Sequence, residues 1–120
     1  LETQYHQIML SQVIALKSMI NKGILPALNH TLNTLNSNSG KYQENMKHRI
    51  ISLSDELYSK VSQLSELQEQ SISKSNSELT RLCLDHLAPA CQALNDLCTQ
   101  SQELIPFNLY PFSTIEDLII

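Results

Sequence analysis

Apolar side chains recur along this chain at steps of three and four, and two short polar runs interrupt them. In the first stretch, 2–35, Tyr5, Ile8, Met9, Val13, Leu16, Ile20, Ile24, Leu28, Leu32 and Leu35 form one stripe of a 3.6-residue helix. Gly23 and Pro26 fall inside it. Proline removes one helical hydrogen bond and crowds the preceding turn, at roughly 3 kcal/mol. Because the stripe continues in register on both sides, the sequence predicts a kink here and not a stop.

Asn36-Ser37-Asn38-Ser39-Gly40 is the clearest break, since short polar side chains compete for nearby backbone groups. It reads as a tight link between antiparallel helices. A second helix follows over 41–71, with Met46, Ile50, Leu53, Leu57, Val61 or Lys60, Leu64 and Leu67 close to a 3.5-residue repeat. Its length is roughly 45 Å at 1.5 Å per residue, and alone it would be marginal. Residues 73–77 form the next link, where Ser75 and Glu78 have the spacing of a capping box. The third helix is expected over 77–103, with Leu79, Leu82, Cys83, Leu87, Ala90, Leu94, Leu97 and Leu104 on its apolar face and a kink at Pro89.

From 104 to 120 the character changes. Ile105-Pro106-Phe107-Asn108-Leu109-Tyr110-Pro111-Phe112 holds both phenylalanines and two of the four prolines, so it should be extended and docked on a surface. Ser113 with Glu116 suggests a further capping box before Leu118-Ile119-Ile120. These patterns define an all-α fold: one antiparallel bundle of three long helices with an extended tail, a single domain over 1–120. Composition supports the class, since the 120 residues include only two glycines and no tryptophan and are 42% hydrophobic and 17% charged.

The net charge of −4 and the scattered lysines argue against a nucleic-acid surface, which needs clustered cations. Lys41, Lys47, His48 and Arg49 come nearest to a patch and read as the solvated start of a helix. No apolar run approaches the roughly 20 residues that span a bilayer, and no signal-peptide pattern is legible, so no membrane partner is expected. Opening on Leu1 fits a segment cut from a larger chain.

Cys83, Cys91 and Cys98 are an odd set, spaced to share one helical face, which suits buried thiols in a reducing, cytoplasmic setting. His6, His30, His48 and His86 fall on three helices at no metal-ligand spacing. His48-Arg49-Ile50 lacks the Lys-Gly that usually follows a phosphotransfer histidine. Cys83 and His86 are neighbours, but no glycine-rich loop accompanies them to form an oxyanion hole or hold a phosphate. Asp55 with Glu56, and Glu66 with Glu69, fall on solvated faces. No catalytic, cofactor-binding or metal-binding residue is assigned.

Three stretches, in order, resemble the C-terminal helical region of type III glutamine synthetases. They are Ile24-Leu25-Pro26-Ala27, then Pro89-Ala90-Cys91 with Leu94 and Leu97, then 109–120, which begins Leu109-Tyr110-Pro111-Phe112. The run from Leu53 to Tyr58 stands where that family's intervening helix would be. The sequence departs from the family where Tyr110 replaces tryptophan, Ser113 the second proline, Ile115 tyrosine and Cys91 methionine. By that resemblance the parent enzyme would join glutamate and ammonia using ATP and divalent metal, none of it bound by this segment. The segment would be a structural and oligomerisation module, partnered by the catalytic domain or neighbouring subunits of a homo-oligomer. The alternative is a freestanding helical scaffold or adaptor that binds a partner helix.

Overall fold

The computed structural model describes residues 2–36 and 40–106, and among these every regular element is helical. The first helix is α-helical over Glu2–Met19, π-helical over Ile20–Ile24 and α-helical again over Leu25–Leu35. The second is one α-helix, Lys41–Ser71. The third is α-helical over Asn76–Leu82, π-helical over Cys83–Leu87 and α-helical over Ala88–Leu104. The predicted tail beyond residue 106, the Ser113–Glu116 cap and residues 37–39 of the first link lie outside the described residues.

Neither internal proline stops its helix. Each follows a π-helical turn that ends two residues before it: Leu25 N–H bonds Ile20 O ahead of Pro26, and Ala88 N–H bonds Cys83 O ahead of Pro89. Proline lacks an N–H and crowds the carbonyl four residues back, and the wider π turn gives that carbonyl room. With the two prolines superposed, the buried positions coincide: Ile20 with Cys83, Ile24 with Leu87, Leu28 with Cys91, and Thr31 with Leu94. The leucine spacing after the prolines hides this likeness, because it differs between the two halves.

The ends are set by local chemistry. Gly40 precedes the second helix in extended conformation. Ser75 caps the third, its Oγ accepting from Glu78 N–H at 3.4 Å and donating to Glu78 Oε1 at 2.9 Å. In the predicted capping box the glutamate would instead accept from the serine's backbone N–H. Because the cap is Ser75, Asn76 and Ser77 belong to the helix and not to the link. At the other end Ile105 is extended (φ −94°, ψ 128°), as steric conflict with Pro106 requires of the preceding residue.

One core joins the three helices. Ile20, Ile24 and Leu28 of the first, Ile50, Leu57 and Leu64 of the second, and Leu87 and Leu94 of the third are all fully buried. On the second helix the core position is Val61, while Lys60 is only half-covered. One predicted core position differs. Ile8 is 53% exposed, and the inward place one turn from Met9 belongs to His6, 4% exposed. A histidine fits there because Thr80 of the third helix meets its Nε2 at 2.8 Å. The Thr80 hydroxyl donates to Asn76 O at 3.0 Å, so His6 Nε2–H is the donor to Thr80. Lys17 Nζ likewise reaches Gln68 Oε1 of the second helix at 2.8 Å. Buried Thr31 and Ser101 each return a hydroxyl to the carbonyl four residues back, so neither hydroxyl is left unpaired.

The His6–Thr80 bond joins the first helix to the third and should register in their stability. Thr80→Val and His6→Ala, combined in a double-mutant cycle by chemical denaturation, are expected to couple by about 0.5–1.5 kcal/mol. Strict additivity would show that the bond contributes nothing.

Candidate functional site

The side chains able to carry chemistry are separated by the fold. Cys83, Cys91 and Cys98 line the inward face of the third helix, and all three are buried free thiols. Burial disfavours the thiolate, which raises the pKa of each thiol; that of Cys98 is pushed up to about 12. A nucleophilic or metal-binding cysteine needs the opposite, a stabilised thiolate within reach of solvent or ligand. His86 is exposed while Cys83, three residues before it, is fully buried, so the two do not form a nucleophile and base.

Histidines are equally dispersed. His6 is engaged with Thr80, and His30, His48 and His86 face solvent. Among the described residues no three His, Cys, Asp or Glu side chains gather closely enough to hold a metal ion. Asp55, Glu56, Glu66 and Glu69 are exposed on the second helix.

The basic run at 41–49 is partly neutralised, since Lys47 Nζ lies 3.0 Å from Glu44 Oε1 one turn earlier. His48 and Arg49 border a cleft between the second and third helices, together with Ser52, Leu53, Gln100 and Leu104. Among these lining residues there is no carboxylate and no fully buried polar group.

Several apolar side chains remain outside the core. Ile8 and Ile14 on the first helix, Ile51 and Tyr58 on the second, and Leu84 on the third are 46–69% exposed. Ile8 lies beside Gln7, Ser11, Gln12 and Ala15 on a face of the first helix with no charged residue. As a whole, the helix over Gln4–Leu35 is long and apolar enough to cross a membrane by length and composition, although its apolar residues are not consecutive. Part of that apolar character is the core stripe of Met9, Val13, Leu16 and Ile20, which faces the other helices.

No protein family, curated protein or solved structure matches the chain.

Sequence spacing could not have found the cross-helix bonds His6–Thr80 and Lys17–Gln68, whose partners are 74 and 51 residues apart. The exposed isoleucines were also hidden, because Ile8 fits the helical stripe as well as its buried neighbours do.

The thiols give a pH prediction. The unfolded chain releases the Cys98 proton near the ordinary thiol value of 9.0, whereas the fold holds it to about 12. Between those values the folded state binds more protons, so the contribution is intact below about pH 9 and lost as pH rises towards 12. In denaturant titrations, the stability gap between the wild type and Cys98→Ala should narrow over that window. The expected narrowing is at most about 1.4 kcal/mol per pH unit. A gap independent of pH would contradict the burial of this thiol.

Proposed function

We propose that this chain is a non-catalytic structural module, similar to the C-terminal helical region of type III glutamine synthetases, that packs on a catalytic domain and shapes contacts between subunits. The observation that carries the reading is the ordered set of proline motifs at Pro26-Ala27, Pro89-Ala90 and Tyr110-Pro111-Phe112. It gains support from the placement of the first two, each two residues past the end of a π-helical turn and each followed by buried positions that correspond. Glutamine synthesis from glutamate, ammonia and ATP with divalent metal would belong to the parent enzyme, in a cytoplasmic setting. The segment itself would bind neither nucleic acid nor membrane.

The architecture in this reading is an up-down-up antiparallel bundle whose first and third helices bend at Pro26 and Pro89. Supporting it, His6 near the start of the first helix meets Thr80 near the start of the third. Lys17 meets Gln68 near the end of the second helix, and Arg49 near its start shares a cleft with Leu104 at the end of the third. A bend is the usual consequence of a proline next to a π turn.

An adaptor that binds a partner helix is the second reading. Ile51 and Tyr58 favour it, since they stand seven residues apart on one exposed face of the second helix, the spacing of helix-in-groove anchors.

Sedimentation of the 120-residue chain across a hundredfold concentration range tests the module reading. It predicts self-association that Ile8→Glu or Ile14→Glu weakens at least tenfold, with helical content unchanged. A monomer at every concentration would refute subunit contact through this segment and leave the adaptor as the better reading.

A further inference from the structure

Four polar side chains line the cleft between the second and third helices: His48, Arg49 and Ser52 from one, Gln100 from the other. All four are exposed, whereas the remaining two lining residues, Leu53 and Leu104, are buried. The cleft has a volume of about 330 Å³, at the small end of ligand sites. That is room for a compact molecule and too little for a folded partner.

The fold makes no use of these four polar groups. Elsewhere Thr31, Thr80, Thr99 and Ser101 donate their hydroxyls to the carbonyl four residues back. Ser52 makes no such bond, and His48, Arg49 and Gln100 have no hydrogen-bond or ion-pair partner among the described residues. Lys47, next along the helix, is instead held by Glu44.

This set of groups defines a ligand chemistry. The planar guanidinium of Arg49 presents paired donors that match a carboxylate, and Ser52 and Gln100 add uncharged donors. Two features oppose an anion, and both are weaker. The dipole of the third helix ends at Leu104 with roughly half a negative charge, against a full positive charge on Arg49. Glu103 is exposed, is not among the lining residues and makes no ion pair with Arg49. A bare inorganic anion would leave the two leucines unmatched. Leu53 lies four residues past Arg49, about 6 Å along the helix, which a short aliphatic chain can cover.

We propose that this cleft binds a small organic carboxylate, its anionic end on Arg49, Ser52 and Gln100 and its aliphatic chain along Leu53 and Leu104. The site lies within one chain and requires neither a catalytic domain nor contact between subunits.

The test is an NMR titration of the full, isotope-labelled chain with hexanoate, and with inorganic phosphate and hexanol as its anionic and aliphatic halves. Hexanoate should shift the amides of Arg49, Ser52 and Gln100 saturably, with a Kd of about a millimolar, and bind more tightly than either half. Arg49→Gln, checked for unchanged helical content, should weaken it about tenfold, as the loss of a charge-assisted bond implies. Lys22→Gln, on the first helix, should leave it unchanged. Equal binding of phosphate would make this a site for any anion, and equal binding of hexanol would reduce it to an apolar surface; either overturns the proposal. So would shifts confined to other residues, indifference to Arg49→Gln, an equal loss with Lys22→Gln, or no saturable shift. Sedimentation reads a different quantity, so this inference and the module reading can fail separately.

Discussion

Burial of one apolar stripe from each of three helices is the constraint on which the rest of this structure depends. A lone helix the length of Lys41–Ser71 is marginal in water, and its exposed faces of serine, glutamine, lysine and glutamate add little to it. What fixes it is that Ile50, Leu57 and Leu64 share one buried core with Ile20, Ile24 and Leu28 of the first helix and Leu87 and Leu94 of the third. Ion pairs such as Lys47–Glu44 and Lys74–Glu78 are open to solvent on their glutamate side and lie within single turns or links, where such pairs contribute about 0–1 kcal/mol. Apolar contact therefore decides the fold, and two polar bonds between helices, His6–Thr80 and Lys17–Gln68, help set register.

That constraint explains how two prolines survive mid-helix. Stopping either helix at its proline would remove the following stripe, Ala27, Leu28 and Thr31 in one case and Cys91, Leu94 and Leu97 in the other. A π turn keeps the stripe on the core by inserting extra backbone ahead of the ring. The same inward demand holds the cysteines in the core and raises their thiol pKa values, which removes the most nucleophilic side chains of the chain from use. The large apolar side chains left outside are isoleucines, tyrosines and a leucine, which are suited to contact.

Much of this was legible in the sequence. Helical periodicity, the polar break at Asn36–Gly40, the Ser75 cap and the inward face of the three cysteines follow from residue type and spacing alone. Other features were not, for physical reasons. The π turns arise from a conflict between proline and core register, and periodicity cannot say whether a bend or an inserted residue resolves it. The choice of His6 over Ile8 as an inward residue depends on Thr80, which belongs to another helix and is invisible to a local pattern. For a candidate site, spacing showed that no motif stands in sequence, while the fold was needed to show Cys83 and His86 facing different environments.

Amide hydrogen exchange on the intact chain tests the central claim that the three helices share one core and are stable only together. The account predicts that the slowest amides, around Ile24, Leu57 and Leu94, open with one common free energy, and that Leu57→Ala lowers all three equally. If the second helix kept or lost its protection independently of the others, the shared core would not be what holds this fold.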